Sequence, residues 1–305
     1  MDSASIFGAP LGPKPGVSLL PLPRPKPEPT GPVHHVQFVV ELVGPRSCPA
    51  ATAAQLLGPQ WYSALGEPQI FKMSPADQTW QVLTPATDGS YDSLALAWDL
   101  VSDRGRLSSS AASHLLHVAE SFAAHIQRRA MAMPSPTDID RTVAGLVYIQ
   151  DGLDIGVELL VVPKGADFVE KEVWIALTEL GFSLEPSGFF ELGNPTREPF
   201  LTVTPSGGAS QFSLSGVQGE VRHPGLLIGF SVPLSPEPEF SLTAAFRTAD
   251  YLSQKLNAAI FTDADQILGS TARGQLNANL LAAVRSLAST GINPGSRAAR
   301  KLFSE

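Results

Sequence analysis

Histidine, glutamate and aspartate are the residues of this chain whose spacing could support metal or acid–base chemistry. His114, His117, Glu120 and His125 fall in one stretch that reads as a helix. Side chains three apart on a helix are surface neighbours, so His114, His117 and Glu120 would line up along one row and could approach a single cation. No ligand of comparable spacing occurs elsewhere. Ordinary exposed-face histidines are therefore the preferred reading, with a cryptic metal-dependent protein as the rival. His34 and His35 read as surface residues. Two carboxylate pairs, Asp138 with Asp140 and Asp263 with Asp265, each follow a helical pattern and a short apolar segment, where loop acids and helix caps are common. Acid–base catalysis would also need a burial-shifted partner and a nucleophile or metal to work with.

Local catalytic and nucleotide-binding spacings are missing: the chain has no GxxxxGK[ST], GxGxxG after a strand, GxSxG, HExxH, CxxC or EF-hand loop. The glycine-rich stretch Pro205 to Ser210 joins two apparent strands and reads as a hairpin turn. No catalytic residue, metal site or cofactor is expected.

Composition narrows the function classes. The chain has 305 residues, 43% hydrophobic and 16% charged, with 21 basic and 29 acidic side chains giving a net charge of −8. An average soluble protein is about 25% charged, so wholesale disorder is not expected. A broad phosphate-neutralising surface is disfavoured, and with it general nucleic-acid binding. One cysteine, Cys48, allows neither an internal disulfide nor a thiolate metal site, which fits the cytoplasm. No run reaches the 18 or so apolar residues needed to cross a bilayer, and Met1 opens onto Asp2 and Ser3 rather than a secretory leader.

Nine prolines lie in the first 34 residues: Pro10, Pro13, Pro15, Pro21, Pro23, Pro25, Pro27, Pro29 and Pro32. Alternating prolines remove backbone donors and fix φ, so residues 1–34 read as a Pro-rich disordered linker rather than part of a core. From Val33 onward two halves share an order of segments. FVVELVG at 38–44 parallels IGVELLVV at 155–162, both containing Val-Glu-Leu. Helical AATAAQLL at 50–57 parallels VEKEVWIALTEL at 169–180, with Gly58 and Gly181 where left-handed caps would stand. WQVLTP at 80–85 parallels FLTVTP at 200–205, and LALAW at 94–98 parallels LLIGF at 226–230. Each half then carries an amphipathic helix, striped by Leu115, Val118, Phe122 and Ile126 in the first and by Leu252, Leu256 and Ile260 after Phe246 in the second. A further helix is expected from Thr271 to Ser289, with Arg285, Arg297, Arg300 and Lys301 on or after it. Their charge suits the helix dipole or a contact with an acidic peptide.

Strands grouped in meanders point to α+β architecture: two tandem split β-α-β units, each a mainly antiparallel sheet with helices packed on one face. The expected division is 1–34 linker, 35–150 a degenerate unit and 151–305 a better-preserved one.

The second half resembles the FtsZ-binding C-terminal domain of the ZipA cell-division family over residues 150–290. The carrying residues are the strand Ile155 to Pro163, Leu180-Gly181-Phe182 ending a helix, Gly188-Phe-Phe-Glu191, Phe212-Ser-Leu214 read as a strand, Phe230-Ser-Val-Pro233 ending a strand, and the segment Ala244 to Asp265. A degenerate copy before it is similar to the double-unit form of that family. The resemblance implies a non-enzymatic adaptor that binds the C-terminal tail peptide of FtsZ in a shallow apolar groove on the bare sheet face. Carried over by position, the groove residues are Ile155, Phe189, Val217, Leu227 and Gly229, with Phe230 joining only if its strand slips by one. The family tends to present a large side chain where Gly229 stands. It also implies work at the cytoplasmic face of the inner membrane at the division site, reached through a partner or an anchor outside this chain. A scaffold whose units bind only each other, without a peptide groove, is the remaining alternative.

Overall fold

The valine- and leucine-rich runs Val39 to Val43 and Val157 to Val161, each broken by a single glutamate, have strand character. In the computed structural model, which describes residues 11–14, 16–17, 21–24, 26–85, 89–193, 198–207, 211–263 and 265–304, these strands sit in two sheets, each paired on both sides and next to an edge strand. Among the described residues every strand pairing is antiparallel. The chain is a mixed α+β protein.

The first unit comprises Lys26–Gly152 and the residues from Ser296 onward. Its strands are β1 (Gln37–Pro49), β2 (Gln69–Met73), β3 (Trp80–Val82), β4 (Ser90–Asp99), the short β5 (Val101–Ser102) and β6 (Gly105–Arg106), and β7 (Arg129–Met133). The main sheet runs β3-β2-β4-β1-β7. Helices α1 (Ala50–Ala53) and α2 (Pro59–Ala64) link β1 to β2, α3 (Ser109–His125) links β6 to β7, and α4 (Ile139–Leu153) follows. Gly58 takes an ordinary φ of −68°, not the expected left-handed cap, because Pro59 restarts a helix at its first position.

The second unit comprises Leu153–Gly295 with the described residues up to Arg24. It contains β8 (Gly156–Pro163), β9 (Phe168–Val169), α5 (Glu170–Glu179), β10 (Ser183–Leu184), β11 (Phe190–Leu192), β12 (Leu201–Ser206), α6 (Leu214–Gln218), β13 (Arg222–His223), β14 (Gly225–Ser231), α7 (Pro238–Lys255), β15 (Ala258–Thr262) and α8 (Ser270–Ser289). Its sheet runs β10-β11-β12-β14-β8-β15. The expected cap at Gly181 holds, with φ +91°. Ile260, expected on the helical stripe with Leu252, lies on β15, because α7 stops at Lys255 and Asn257 turns the chain at φ 50°.

The opening strand of each unit, β1 or β8, pairs on one side with β4 or β14, which precede the long helix α3 or α7, and on the other with β7 or β15, which follow it. The strands β2-β4-β1-β7 and β12-β14-β8-β15 thus each follow the β-α-β-β-α-β, split β-α-β order. The third sequence parallel does not survive: Trp80–Val82 is the edge strand β3, whereas Leu201–Ser206 is β12, hydrogen-bonded to β14. The strand beside β4 is β2 instead.

Two boundaries differ from the sequence reading. The last helix, α9 (Arg297–Phe303), belongs to the first unit. Its Arg297 donates to the carbonyls of Pro29 (2.8 Å) and Gly31 (2.6 Å), Arg300 bonds Glu28, and Lys301 bonds Asp99 at 2.8 Å. These cations therefore meet acids and carbonyls of their own unit. The linker is also partly docked: residues 26–33 lie in the first unit, and Lys14 donates its amide to the Glu179 carbonyl of the second at 3.0 Å. Of its prolines, Pro10, Pro15 and Pro25 lie outside the described residues, as do Gly208 to Ser210 of the glycine-rich turn.

Glu179 also accepts from Tyr251 and from Lys255 (2.9 Å), with Lys14 Nζ at 3.7 Å. Burial alone would raise its carboxyl pKa, but the hydrogen bonds from Tyr251 and Lys255 and the charges of Lys255 and Lys14 outweigh that and hold it low. Burial first, then the bond to Glu179 and its charge, push Tyr251 up to about 12. A depressed carboxylate stabilises above its unfolded pKa and loses that stability as pH falls through the folded one. A raised phenol stabilises fully below its ordinary value of 10.0 and loses that on the way to about 12. Urea midpoints measured across pH should therefore fall on the acid side below the usual carboxylate range and on the alkaline side above 10. Glu179→Gln should flatten both limbs; identical pH profiles for the two proteins would refute the assignment.

Candidate functional site

The second unit's sheet has two unlike faces. On one, Val157, Leu159 and Val161 of β8, Leu226, Ile228 and Phe230 of β14, and Leu201 and Val203 of β12 are buried, with α7 packed across these strands and β15. On the other, alternate residues are half-buried or exposed.

The strand register assembles that second face into rows running across the strands. Thr204 stands opposite Leu227, Leu227 opposite Leu160, and Leu160 opposite Phe261. An isolated bridge sets Phe261 opposite Ile267, which is 73% exposed. Four strand spacings give this row a length of about 19 Å. By alternation Phe189, half-buried just before β11, shares the face with Glu191. The adjacent row is polar: Glu191 opposite Thr202, Thr202 opposite Gly229, Gly229 opposite Glu158. At Gly229 the floor is backbone, since an added Cβ would stand 3.3 Å from the Val157 carbonyl oxygen.

Three of the six residues carried over from the resemblance meet on this face: Phe189, Leu227 and Gly229. The other three do not. Phe230 alternates with Gly229 and is buried on the helix side, and β14 shows no slip, its six pairs with β8 being continuous. Val217 is buried within α6, because Phe212-Ser-Leu214 is not a strand: Ser213 caps that helix by accepting from the Gly216 amide at 2.9 Å. Ile155 precedes β8, is 37% exposed, and has the parity of buried Val157. Leu160, Phe261 and Ile267 were missed. The Glu158-Leu-Leu160 alternation signalled the first, but Phe261 and Ile267 depend on a pairing between β15 and the turn after it, which no local pattern announces.

The candidate chemistry residues disperse. His114, His117, Glu120 and His125 are all exposed on α3, and His125 bonds Gln55 at 3.2 Å. Among the described residues, no group of three or more His, Cys, Asp and Glu side chains is disposed to hold a metal ion. Asp140 accepts from the Ser109 amide at 2.9 Å and so caps α3, Asp138 pairs with Arg141 at 2.8 Å, and Asp263 and Asp265 flank a turn. Cys48 is buried, and that burial raises its thiol pKa against the lowering influence of Arg128.

One buried polar pair was not foreseen. His223 Nε2 lies 3.0 Å from Glu170 Oε2, with side chains 0% and 1% exposed, and Glu170 Oε1 accepts from the Ser213 amide at 2.8 Å. Phe212 packs edge-on against the imidazole, 5.2 Å between ring centroids. Sealed from solvent, the pair admits no substrate; it fastens β13 and the start of α6 to α5.

No protein-family model matches the chain, and no curated protein matches it. Among the described residues no helix is long and apolar enough to cross a membrane.

Removing one member of a buried polar pair leaves the other desolvated and unpaired. Glu170→Ala should cost about 3 kcal/mol in chemical denaturation, by that principle. A loss well below about 1 kcal/mol would mean that Glu170 and His223 do not hold α5, α6 and β13 together.

Proposed function

We propose that the chain is a non-enzymatic cell-division adaptor that takes a short amphipathic segment, the C-terminal tail peptide of FtsZ, on the second face of its second unit. One observation carries the reading: the apolar row Leu227, Leu160, Phe261 and Ile267 runs in register across the sheet and ends on an exposed side chain. Exposed contiguous apolar surface marks an interaction site more often than scattered single residues do. From Leu227 to Ile267 the row spans three strand spacings, about 14 Å, which fits roughly nine residues of helix or four of extended chain. The resemblance of residues 150–290 to the ZipA family supplies the candidate partner, and Leu227 and Phe189 are the anchors it shares with the observed face.

A single shallow groove of this size binds at micromolar strength or weaker, about −8 kcal/mol, and many tails displayed on one polymer add avidity. The adaptor would act at the cytoplasmic face of the division site.

Titration of the full chain with a fluorescently labelled FtsZ tail peptide from the same organism tests this. Leu227→Asp and Phe189→Asp should each weaken binding at least about tenfold with circular dichroism unchanged, since each puts a charge among the anchors. Phe230→Ala should instead lower the melting temperature, because that ring is in the core. Saturable binding indifferent to both Asp variants would move the site elsewhere, and no binding by folded protein at a few hundred micromolar would reject the partner.

A further inference from the structure

We infer that the segment held by this face is cationic as well as apolar, and that Glu158 and Glu191 select its lysine or arginine side chains. The inference rests on the adaptor reading and adds the charge of the partner.

The geometry comes from the row beside the apolar one. Glu191 and Glu158 stand at its two ends, with Thr202 and Gly229 between them. Three strand spacings separate the two carboxylates, about 14 Å. Glycine at 229 leaves a low floor next to Glu158, where an added Cβ would sit 3.5 Å from that glutamate's Cγ. A lysine or arginine stem can lie on such a floor and direct its charged end to the carboxylate, as long cationic side chains do on apolar surfaces.

Among the described residues, neither Glu158 nor Glu191 has a hydrogen-bond or ion-pair partner for its side chain. The first unit provides the contrast. Glu41 holds the same place in its Val-Glu-Leu strand, opposite Ala95, and its carboxylate accepts from Ser93 Oγ at 2.5 Å. There the acid is satisfied internally; on the second unit it is left available.

Glu191 is crowded by its own kind. Burial raises its carboxyl pKa, and the charges of Glu185 and Glu198 raise it further. Like charges held together disfavour ionisation, and an incoming cation relieves that repulsion. An acidic segment meets the opposite situation at both ends of the row. The net charge of −8 extends the same preference to longer range, favouring encounter with cationic segments at low salt.

The test uses the full chain and two labelled probes: the FtsZ tail peptide and a copy with every lysine and arginine replaced by glutamine. Glu158→Gln and Glu191→Gln should each weaken binding of the first peptide about threefold to tenfold at low salt, more so together, and should flatten its salt dependence. The glutamine copy should bind wild-type protein about as weakly as the native peptide binds the double variant. If the native peptide binds in a manner abolished by Leu227→Asp, yet neither the glutamates, the salt nor the peptide's own charges change its affinity, the charge selection is overturned and the adaptor reading stands. If folded wild-type protein binds neither peptide, both are overturned.

Discussion

Six consecutive pairs join β8 to β14, from Val161 opposite Leu226 to Gly156 opposite Ser231. Because side chains alternate, this register decides the character of both faces at once. In the observed register Val157, Leu159, Val161, Leu226, Ile228 and Phe230 turn toward the helices, and each large aliphatic or aromatic side chain so buried contributes about 1.5–3 kcal/mol. A slip of one residue in β8 would push Glu158 beneath α7 without a partner, at a cost of several kcal/mol, while returning valine and leucine to water. The pattern thus stabilises one register and penalises its nearest competitor. The outward row of Leu227, Leu160 and Phe261 is the other side of the same constraint.

The two units start from the same strand order and finish their second faces differently. In the first, Val39, Phe71, Ala95 and Ala97 form a buried cluster with Trp80 packed against it, and Gly31 lies so close to Trp80 that a side chain there would collide with the indole. The stretch 28–31 is in turn held by Arg297 and Arg300 of α9. Segments distant in sequence thereby complete the first unit, and its internal glutamate is satisfied by Ser93. In the second unit the outward face keeps Ile267 in solvent, and among the described residues Glu158 and Glu191 of the adjacent row have no side-chain partner. A face closed by its own chain has little left to offer a ligand.

The sequence announced these strands well, because short apolar, β-branched runs such as LALAW, LLIGF and the two Val-Glu-Leu segments carry their strand character locally. The long helices were equally plain; the one expected from Thr271 to Ser289 begins at Ser270. What failed was information stored in neighbours. A shared Thr-Pro ending made Trp80–Val82 and Leu201–Ser206 look equivalent, but strand position depends on which hairpin arm docks against the centre, and the composition of the arm does not encode that. Phe212-Ser-Leu214 read as strand by residue type, yet Ser213 is a helix cap, and the short helix it starts carries Val217 into the interior. The return of α9 to the first unit, and the docking of residues 26–33, rest on Arg297, Arg300 and Lys301 finding carbonyls and acids more than 200 positions away. Of the groove, Leu227, Gly229 and Phe189 were carried over by position from the resemblance, whereas Phe261 and Ile267 were hidden behind a long-range pairing.

An apolar row next to an edge strand carries a liability, since exposed apolar faces also attract copies of themselves. The charged row bears on that problem directly. If two copies met face to face, their apolar rows could stack, but the same approach would bring Glu158 and Glu191 of one against Glu158 and Glu191 of the other, with Glu185 and Glu198 nearby to deepen the repulsion. Desolvating like charges together is unfavourable, and no compensating cation is supplied by the second copy's row. A cationic segment escapes that penalty and gains the apolar contact as well. The arrangement that favours one class of partner is thus also the one that disfavours self-association, as specificity by repulsion requires.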